Sequence, residues 1–337
     1  MRKRNDTMTS HAERTYALCL LSGGLDSRLA ACVLREQGVV VHGVCFESPF
    51  FSGDLARQAA TALDIPLHTL DFSSDIIALL DRPKHGFGSR MNPCIDCHAA
   101  MIRRAGALME DMKFHLVATG EVLDQRPMSQ NRRSLDIVAE ESGYGDRLLR
   151  PLSARLLAET RLEKEGRIDR ARLLAIHGRS RRQQMLLAES FGLKDYPSPA
   201  GGCRLTEPNF CKRLEDLRSH GELNGKRSLE LLCYGRHFRL GDSLKVIVGR
   251  NERDNAVLEG GAELYDLILK VDGFPGPTGL LSFTAREDQV AEAAAICARY
   301  SDCPKDGEVV VKIRSARETR KILVRPADPG FADRLLV

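Results

Sequence analysis

Residues 16–27 have the sequence YALCLLSGGLDS, and this stretch carries the strongest structural signal in the chain. Its first part, Tyr16 to Leu21, is a short apolar run of the kind that forms a buried parallel strand. Apolar residues then recur at helical spacing up to Gly38, which is a typical C-terminal stop for a helix. The stretch therefore predicts a strand, a tight turn and a helix in immediate succession.

The turn between strand and helix has the composition of a phosphate-binding loop. Gly23 and Gly24 let the backbone turn sharply and approach a ligand closely. The hydroxyls of Ser22 and Ser27, together with free amides at the helix start, can hold phosphate oxygens. Asp26 would repel a phosphate unless it serves a metal ion or orients the loop. The alternative is a tight strand–helix turn with a capping serine.

Further apolar runs alternate with helical patterns and predict an α/β fold with a doubly wound parallel sheet. Such sheets bind ligands beyond the carboxyl ends of their strands. The predicted strands after the first are 39–46, 66–72, 114–119 and 148–152, and the predicted helices are 55–63, 99–109 and an arginine-rich pattern over 156–192.

After about residue 232 the pattern changes to short strands at 244–248, 309–313 and 322–324, with a helix at 289–299. This texture predicts a smaller C-terminal α+β domain. We therefore expect a tail over residues 1–15, a nucleotide-binding domain over 16–225 and a second domain over 232–337.

Composition limits the class of protein. The 337 residues include 43% hydrophobic and 28% charged side chains, which is typical of a globular chain. No apolar run approaches the roughly 18–20 residues that a membrane span needs, and the polar start does not resemble a signal peptide. We therefore expect a cytoplasmic protein with reduced thiols. The net charge of +4 permits an anionic partner without demonstrating one.

SGGLDS resembles the signature of the PP-loop ATP pyrophosphatase family, whose fold is of the adenine nucleotide alpha-hydrolase type. The resemblance implies that ATP binds with Mg²⁺ and that a substrate oxygen is activated as its adenylate. Phe46, at the end of the second strand, would lie near the adenine, and Gly120, after the fourth strand, would line the ATP cleft. The pyrophosphate cradle implied by the resemblance consists of Ser22, Gly23, Gly24, Asp26 and Ser27.

Three of the ten cysteines stand apart from the apolar patterns. Cys94 and Cys97 form a CxxC turn that runs into a helix, and a helix N-terminus favours the thiolate that ligates metal or attacks. Cys203 follows a Pro/Gly-rich loop. Three cysteines leave one position open in an iron–sulfur centre, where an extra sulfide would bind. The alternative is a redox pair with an unrelated third thiol.

Two segments sharpen the resemblance. NPCIDCH, residues 92–98, is similar to the segment that carries the first catalytic cysteine of tRNA 2-thiouridine synthetases. TGEVLDQ, residues 119–125, and LRPL, residues 149–152, are similar to tRNA 4-thiouridine synthetases, in which a catalytic cysteine follows in a loop, as Cys203 does here. Three-cysteine members of the wider thiolase group bind a [4Fe–4S] cluster, which Cys94, Cys97 and Cys203 would match.

Basic residues near the Cys203 loop predict an RNA contact, with a solvated helix face as the alternative. The candidate arginines are Arg179, Arg181 and Arg182. In the last domain, GRHFR (235–239) and VGRNERDN (248–255) resemble the RNA-binding module of the NFACT family, which would make Arg250 an RNA contact. A plain oligomerisation or stability domain is the alternative there.

The sequence thus predicts an ATP-dependent tRNA sulfurtransferase that adenylates a uridine carbonyl oxygen and replaces it with sulfur. Its expected partners are tRNA, a sulfur donor such as a cysteine desulfurase or sulfide, and a second copy of the chain. Sulfur would travel as a persulfide or on a [4Fe–4S] cluster. The rival functions are a PP-loop ligase or sulfur-insertion enzyme acting on a small molecule, and an ATP-switched RNA-binding protein.

Overall fold

The structure is a computed structural model that describes residues 14–198, 203–223, 225–242, 244–282 and 284–337. Residues 1–13 of the predicted tail and part of the loop before Cys203 lie outside the described residues. The chain divides into two compact units, Met1–Gly88 with Asn92–Gly201 and Ser89–Met91 with Gly202–Val337. The domain boundaries expected from the sequence stay a prediction.

The first unit contains a five-stranded parallel sheet. Its strands are β1 (Tyr16–Leu20), β2 (Val40–Glu47), β3 (Leu67–Asp71), β4 (Leu116–Ala118) and β5 (Leu148–Leu149). The order is β3-β2-β1-β4-β5. The direction of winding reverses between β1 and β4, and a parallel sheet opens a ligand-binding crevice at such a point. The predicted α/β fold is confirmed.

Helices flank this sheet along the chain. They are α1 (Leu25–Glu36), α2 (Asp54–Leu63), α3 (Ser73–Asp81), α4 (Cys94–Asp111), α5 (Arg132–Ser142), α6 (Arg161–Lys164) and α7 (Arg182–Ser190). Helix α1 is buried along most of its length because Leu25, Leu29 and Val33 repeat at helical spacing. α4 begins at Cys94, earlier than the predicted 99–109, so both cysteines of the CxxC lie within its first turn.

The predicted helical pattern over 156–192 is largely wrong. Within it the structure has two short α-helices and single turns of 3₁₀-helix, and the only helix of appreciable length is α7. Gly166 and Gly178 adopt positive φ angles of 71° and 82°, which interrupt a helix. The apolar residues of this segment suggest a helix. In the structure they include Leu162 and Ile176, which pack into the core from a segment that is mostly irregular.

The second unit is built on a six-stranded antiparallel sheet. Its strands are β6 (Arg236–Leu240), β7 (Leu244–Val248), β8 (Asp266–Val271), β9 (Gly279–Ser282), β10 (Val309–Arg314) and β11 (Thr319–Val324). The order is β11-β10-β8-β9-β7-β6. The helices are α8 (Pro208–Ser219), α9 (Lys226–Leu231), α10 (Glu252–Gly260), α11 (Glu287–Arg299) and α12 (Pro329–Leu335).

One face of this sheet carries a core with α11. Ala293, Ala294 and Cys297 of α11 are fully buried in the same cluster as Leu269 and Val311 of the sheet. Small residues on α11 let the helix approach the strands closely. The smaller C-terminal α+β domain expected from the sequence is therefore confirmed. Within the described ranges, no helix combines the length and the apolar character needed to cross a membrane.

Candidate nucleotide and sulfur-transfer site

The loop after β1 follows the path that the sequence predicts for a phosphate cradle. Gly23 has a φ of +81°, and a Cβ atom there would lie 2.3 Å from the backbone carbon of Leu55. Only glycine meets both conditions, because L side chains rarely adopt this φ and the space is already filled. The loop therefore packs directly against the start of α2.

Two serine hydroxyls hold the loop in shape. The hydroxyl of Ser27 donates a hydrogen bond of 2.8 Å to the carbonyl of Gly24, and its oxygen lies 3.4 Å from that of Ser22. The buried guanidinium of Arg28 donates from Nε to the carbonyl of Gly23 at 2.9 Å. The first amides of α1 have no partner within the helix, so they are available to an anion in this cradle.

The turn after β4 closes on the same loop. A Cβ atom on Gly120 would lie 2.5 Å from the backbone nitrogen of Ser27 and 2.6 Å from the carbonyl carbon of Asp26. Gly120 therefore touches the first turn of α1, and its place in an ATP cleft stays a prediction. Phe46 is buried at the end of β2, and the centre of its ring lies 5.4 Å from that of Phe72. Its side chain therefore packs in the protein interior at this end of the strand.

The CxxC pair begins helix α4. Cys94 and Cys97 are both partly exposed, and the side-chain amide of Asn92 donates a hydrogen bond to the Cys94 sulfur at 3.2 Å. The backbone amide of Cys97 donates to the carbonyl of Pro93 at 2.8 Å. Because α4 leads into β4, its N-terminus lies at the sheet edge where the strands end.

A buried ionic cluster connects the cysteine helix to the turn after β4. Nδ1 of His98 lies 2.9 Å from Oε1 of Glu121, and Nε of Arg150 donates to Oε2 of the same carboxylate at 2.8 Å. The hydroxyl of Thr119 donates to this oxygen as well, at 3.0 Å. Burial by itself would raise the pKa of Glu121, but the charges of Arg150 and His98 lower that pKa below its usual range.

The cluster links the cysteine helix to the phosphate loop. His98 lies one helical turn after Cys94, and residues four apart share a helix face. Glu121 follows Gly120, which touches the phosphate loop. The cysteine helix and the phosphate loop are thus both fixed to the turn 119–121, at the ligand-binding edge of the sheet. We infer one composite site in the first unit.

This arrangement makes the stability of the chain sensitive to Glu121. We expect Glu121→Gln to lower the free energy of unfolding by roughly 3–5 kcal/mol, because Arg150 stays buried without its counter-charge. A depressed carboxyl pKa stabilises the fold above the unfolded pKa, and this contribution disappears as pH falls. In denaturation experiments, the difference between wild type and variant should therefore stay constant from about pH 7 to about pH 5 and shrink as the pH falls further toward about pH 3. A difference independent of pH would contradict the assignment.

Asp26 belongs to a second polar network. Its Oδ2 accepts a hydrogen bond of 2.7 Å from Nε2 of Gln125, whose Oε1 accepts one of 2.8 Å from the buried Gln184. Its Oδ1 lies 3.7 Å from NH2 of Arg181. Among the described residues, neither Asp26 Oδ1 nor Arg181 Nε has a hydrogen-bond partner, although both atoms are buried. Buried polar atoms without a partner are rare in folded proteins, and a bound ion or water is one way in which such atoms are satisfied.

Arg181 lies beside the phosphate loop, and its predicted contact with RNA stays a prediction. The sequence pattern groups it with RNA-binding arginines, but its guanidinium is turned toward the phosphate loop and its side chain is 20% exposed. Its neighbours in the predicted set, Arg179 and Arg182, are exposed. The sequence does not indicate that Arg181 differs from Arg179 and Arg182 in its surroundings, because all three arginines lie within four residues.

We expect Arg181→Ala to weaken ATP binding about fivefold, since Asp26 then presents an uncompensated charge to the phosphates. Arg155→Ala, at an exposed position in the same unit, is the matched control and should leave ATP binding unchanged. Titration calorimetry measures both. The salt dependence of RNA binding should be unaffected by Arg181→Ala, and a lower salt dependence would restore the RNA assignment.

Cys203 and Arg250 belong to the second unit. Cys203 is exposed and precedes a single turn of 3₁₀-helix at Arg204–Thr206. Arg250 donates from Nε to the buried carboxylate of Asp254 at 2.7 Å, four residues later on the chain. Among the described residues, no three His, Cys, Asp or Glu side chains are arranged to hold a metal ion. The three-cysteine cluster stays a prediction.

Sequence reasoning missed the part played by His98, Glu121 and Gln184. His98 has a usable signal, since it follows Cys94 by four residues on a predicted helix start. Nothing in the sequence indicates that its partner is Glu121, because that contact depends on the position of α4 against β4. Gln184 lies in α7, and no local pattern indicates that its side chain reaches Gln125, which is 59 residues away in the chain.

The first unit has an α/β fold, and the loop between β1 and α1 resembles the phosphate cradle of the PP-loop class. Residues 13–156 match the family model described as Thiamine biosynthesis protein (ThiI). Residues 235–332 match the model described as NFACT protein RNA binding domain. These matches confirm both resemblances found in the sequence: the PP-loop tRNA thiouridine synthetase group, and an NFACT-type RNA-binding-like domain after it.

Curated relatives agree with this grouping. The tRNA-specific 2-thiouridylase MnmA of Dehalococcoides mccartyi is 36% identical over 118 residues, covering 30% of this chain and 32% of that protein. MnmA of a Jannaschia species is 23% identical over 345 residues, covering 95% and 86%. A solved 4-thiouridine synthetase–RNA complex with bound ATP is 19% identical, with a TM-score of 0.38, and covers 64% and 52%. The chain spans about a third of the length of the first relatives that it matches.

Proposed function

We propose that this protein is an ATP-dependent tRNA sulfurtransferase, which adenylates a uridine carbonyl oxygen and replaces that oxygen with sulfur. One observation carries the proposal. The turn 119–121 touches the phosphate loop through Gly120 and holds the cysteine helix through Glu121 and His98. An enzyme that activates an oxygen with ATP and then delivers sulfur needs these two elements side by side.

In the first step, the uridine oxygen attacks the α-phosphorus of ATP. A new P–O bond forms, the bond to pyrophosphate breaks, and the amides at the start of α1 hold the departing negative charge. The oxygen then leaves as part of AMP. Without this activation it would have to leave as hydroxide, which is a much poorer leaving group than AMP.

Asp26 is the residue that fits Mg²⁺. Its Oδ1 is buried without a hydrogen-bond partner among the described residues, and Mg²⁺ commonly binds one or two carboxylates together with substrate phosphates. When bound, the ion would neutralise charge on the phosphates. Gln125 orients the carboxylate through Oδ2, while Oδ1 lies 3.7 Å from NH2 of Arg181.

In the second step, sulfur bound at a cysteine attacks the activated uridine carbon, and the carbon–oxygen bond to AMP breaks. In the persulfide route, a second cysteine thiolate then attacks the carrier sulfur. This releases the thiouridine and leaves a disulfide, which an external dithiol must reduce. Cys94, Cys97 and Cys203 are the candidate carriers.

The same three cysteines would hold a [4Fe–4S] cluster. Cys94 and Cys97 fit two adjacent ligand positions, since they are partly exposed in one helical turn. Such a cluster would supply an iron site at which sulfide binds. Cys203 is the third candidate ligand, and the sulfur donor and a second copy of the chain stay predictions.

The test is ATP-dependent transfer of ³⁵S to tRNA, followed by nucleoside digestion. Label in a thiouridine, with release of AMP and pyrophosphate, is the expected result. Label in a small molecule but not in RNA would favour the ligase or sulfur-insertion alternative. RNA binding without any label would favour the ATP-switched binding protein. Anaerobic purification with iron and sulfide determination, compared with Cys203→Ser, separates the two sulfur routes.

A further inference from the structure

Three lysines lie in a row across the outer face of the second unit's sheet. Lys312 of β10 is directly opposite Lys270 of β8 on one side and Lys321 of β11 on the other. Their side chains are 47%, 48% and 58% exposed, respectively. With neighbouring strands about 4.8 Å apart, the row spans about 10 Å. We call these three residues the lysine row.

The row is unfavourable for the fold. Like charges directly opposite each other in an antiparallel pair destabilise a sheet. The chain compensates only in part, because Asp272 is shared between Lys312 and Lys321, and Glu259 pairs with Lys270. Arg314, also exposed, follows Lys312 at the next outward position of β10. Four cations thus face two carboxylates, which leaves this face positive.

Two arginines of the motifs in the same unit, Arg239 and Arg250, are engaged internally, whereas Arg253 is exposed. Arg250 is paired with Asp254, and Arg239 is paired with both Asp216 and Glu222 in a nearly buried cluster. These side chains are occupied in fixing the ends of strands and helices. The lysines of the row are ion-paired as well, but their side chains are more exposed than those of Arg239 and Arg250, so they are better placed to contact a polyanion.

We propose that the lysine row, with Arg314 beside it, binds the phosphate backbone of RNA. This inference rests on the proposed function, in which tRNA is the substrate. Lysine ammonium groups act as point charges on phosphates and carry no base preference, which suits an enzyme that must hold the body of a tRNA while another part enters the active site. The row lies within residues 235–332, which match the RNA-binding domain model.

The experiment compares the full chain with a triple variant, Lys270→Gln, Lys312→Gln and Lys321→Gln. A matched control, Lys212→Gln with Arg286→Gln and Arg334→Gln, removes the same charge from exposed positions on helices and the loop before α11. Binding of a tRNA transcript is measured by fluorescence anisotropy across a range of salt concentrations. Melting temperatures check that each variant is folded.

Removing one lysine–phosphate interaction should reduce the slope of log K against log salt by about one, so we expect a decrease of about three for the row variant. The control should retain the wild-type slope, and Lys→Arg at all three positions should restore it. The row variant should melt close to the wild type, because it removes opposed like charges together with exposed ion pairs that contribute little to stability.

The outcomes separate this inference from the proposed function. Wild-type affinity and slope in the row variant, or an equal decrease in the control, would overturn the lysine row while leaving the thiolation proposal standing. Weakened binding in the row variant, together with no ³⁵S transfer by the wild type, would support the row and overturn thiolation. No tRNA binding by the wild type would overturn both.

Discussion

Replacing Gly120 with alanine is expected to weaken ATP binding about 10- to 100-fold. The new Cβ would lie 2.5 Å from the amide nitrogen of Ser27 and 2.7 Å from the carbonyl oxygen of Asp26, both backbone atoms. Backbone cannot rotate aside as a flexible side chain can, so the start of α1 must shift. Overpacking of this kind costs about 1–3 kcal/mol, and each 1.4 kcal/mol corresponds to a tenfold change in affinity.

Gly38→Ala is the matched control for this effect. Gly38 lies in the same unit at the end of α1, with a φ of +78° and open space around its Cβ position. It should therefore lower the melting temperature through backbone strain without altering ATP binding. Calorimetric titration with a non-hydrolysable ATP analogue distinguishes the two variants. An ATP affinity equal to that of the wild type in Gly120→Ala would exclude the turn 119–121 from the nucleotide site.

The second large effect is expected at the CxxC pair. Cys94→Ser or Cys97→Ser should reduce sulfur transfer to tRNA about a thousandfold or more, because a serine hydroxyl neither carries a persulfide nor ligates iron. Pyrophosphate release in a single turnover should persist, since the phosphate loop is unchanged. Failure of the second step with retention of the first is the signature of a sulfur carrier.

Cys45→Ser is the control for the thiol substitutions. Cys45 is buried, and its sulfur lies 3.4 Å from the hydroxyl of Thr69, a contact that a serine hydroxyl can also make. This variant should keep wild-type sulfur transfer, measured by thiouridine content after digestion. Full transfer by Cys94→Ser and Cys97→Ser as well would remove the pair from the chemistry and leave Cys203 as the carrier to test.

The sequence predicts best those parts of the fold whose secondary structure follows from a short stretch of the chain. The strand, turn and helix from Tyr16 to Glu36 are predicted almost residue by residue, because a short apolar run, two glycines and a helical apolar pattern follow one another within this stretch. The segment 156–192 has a helical pattern and is mostly irregular in the structure. In this segment, individual apolar side chains at near-helical spacing pack into the core without forming one helix face. Two glycines with positive φ also interrupt the helix.

Short-range patterns of side-chain type are sufficient to define the class of the protein: a parallel α/β unit with a phosphate loop, a CxxC pair and a second α+β domain. Three further features arise only in the folded chain: His98 and Arg150 share Glu121, Arg181 faces Asp26, and three lysines line up across β8, β10 and β11. The first two depend on how helices α4 and α7 pack against the sheet, and the third depends on strand order and register. All three bring together residues far apart in the chain, which no local sequence pattern indicates.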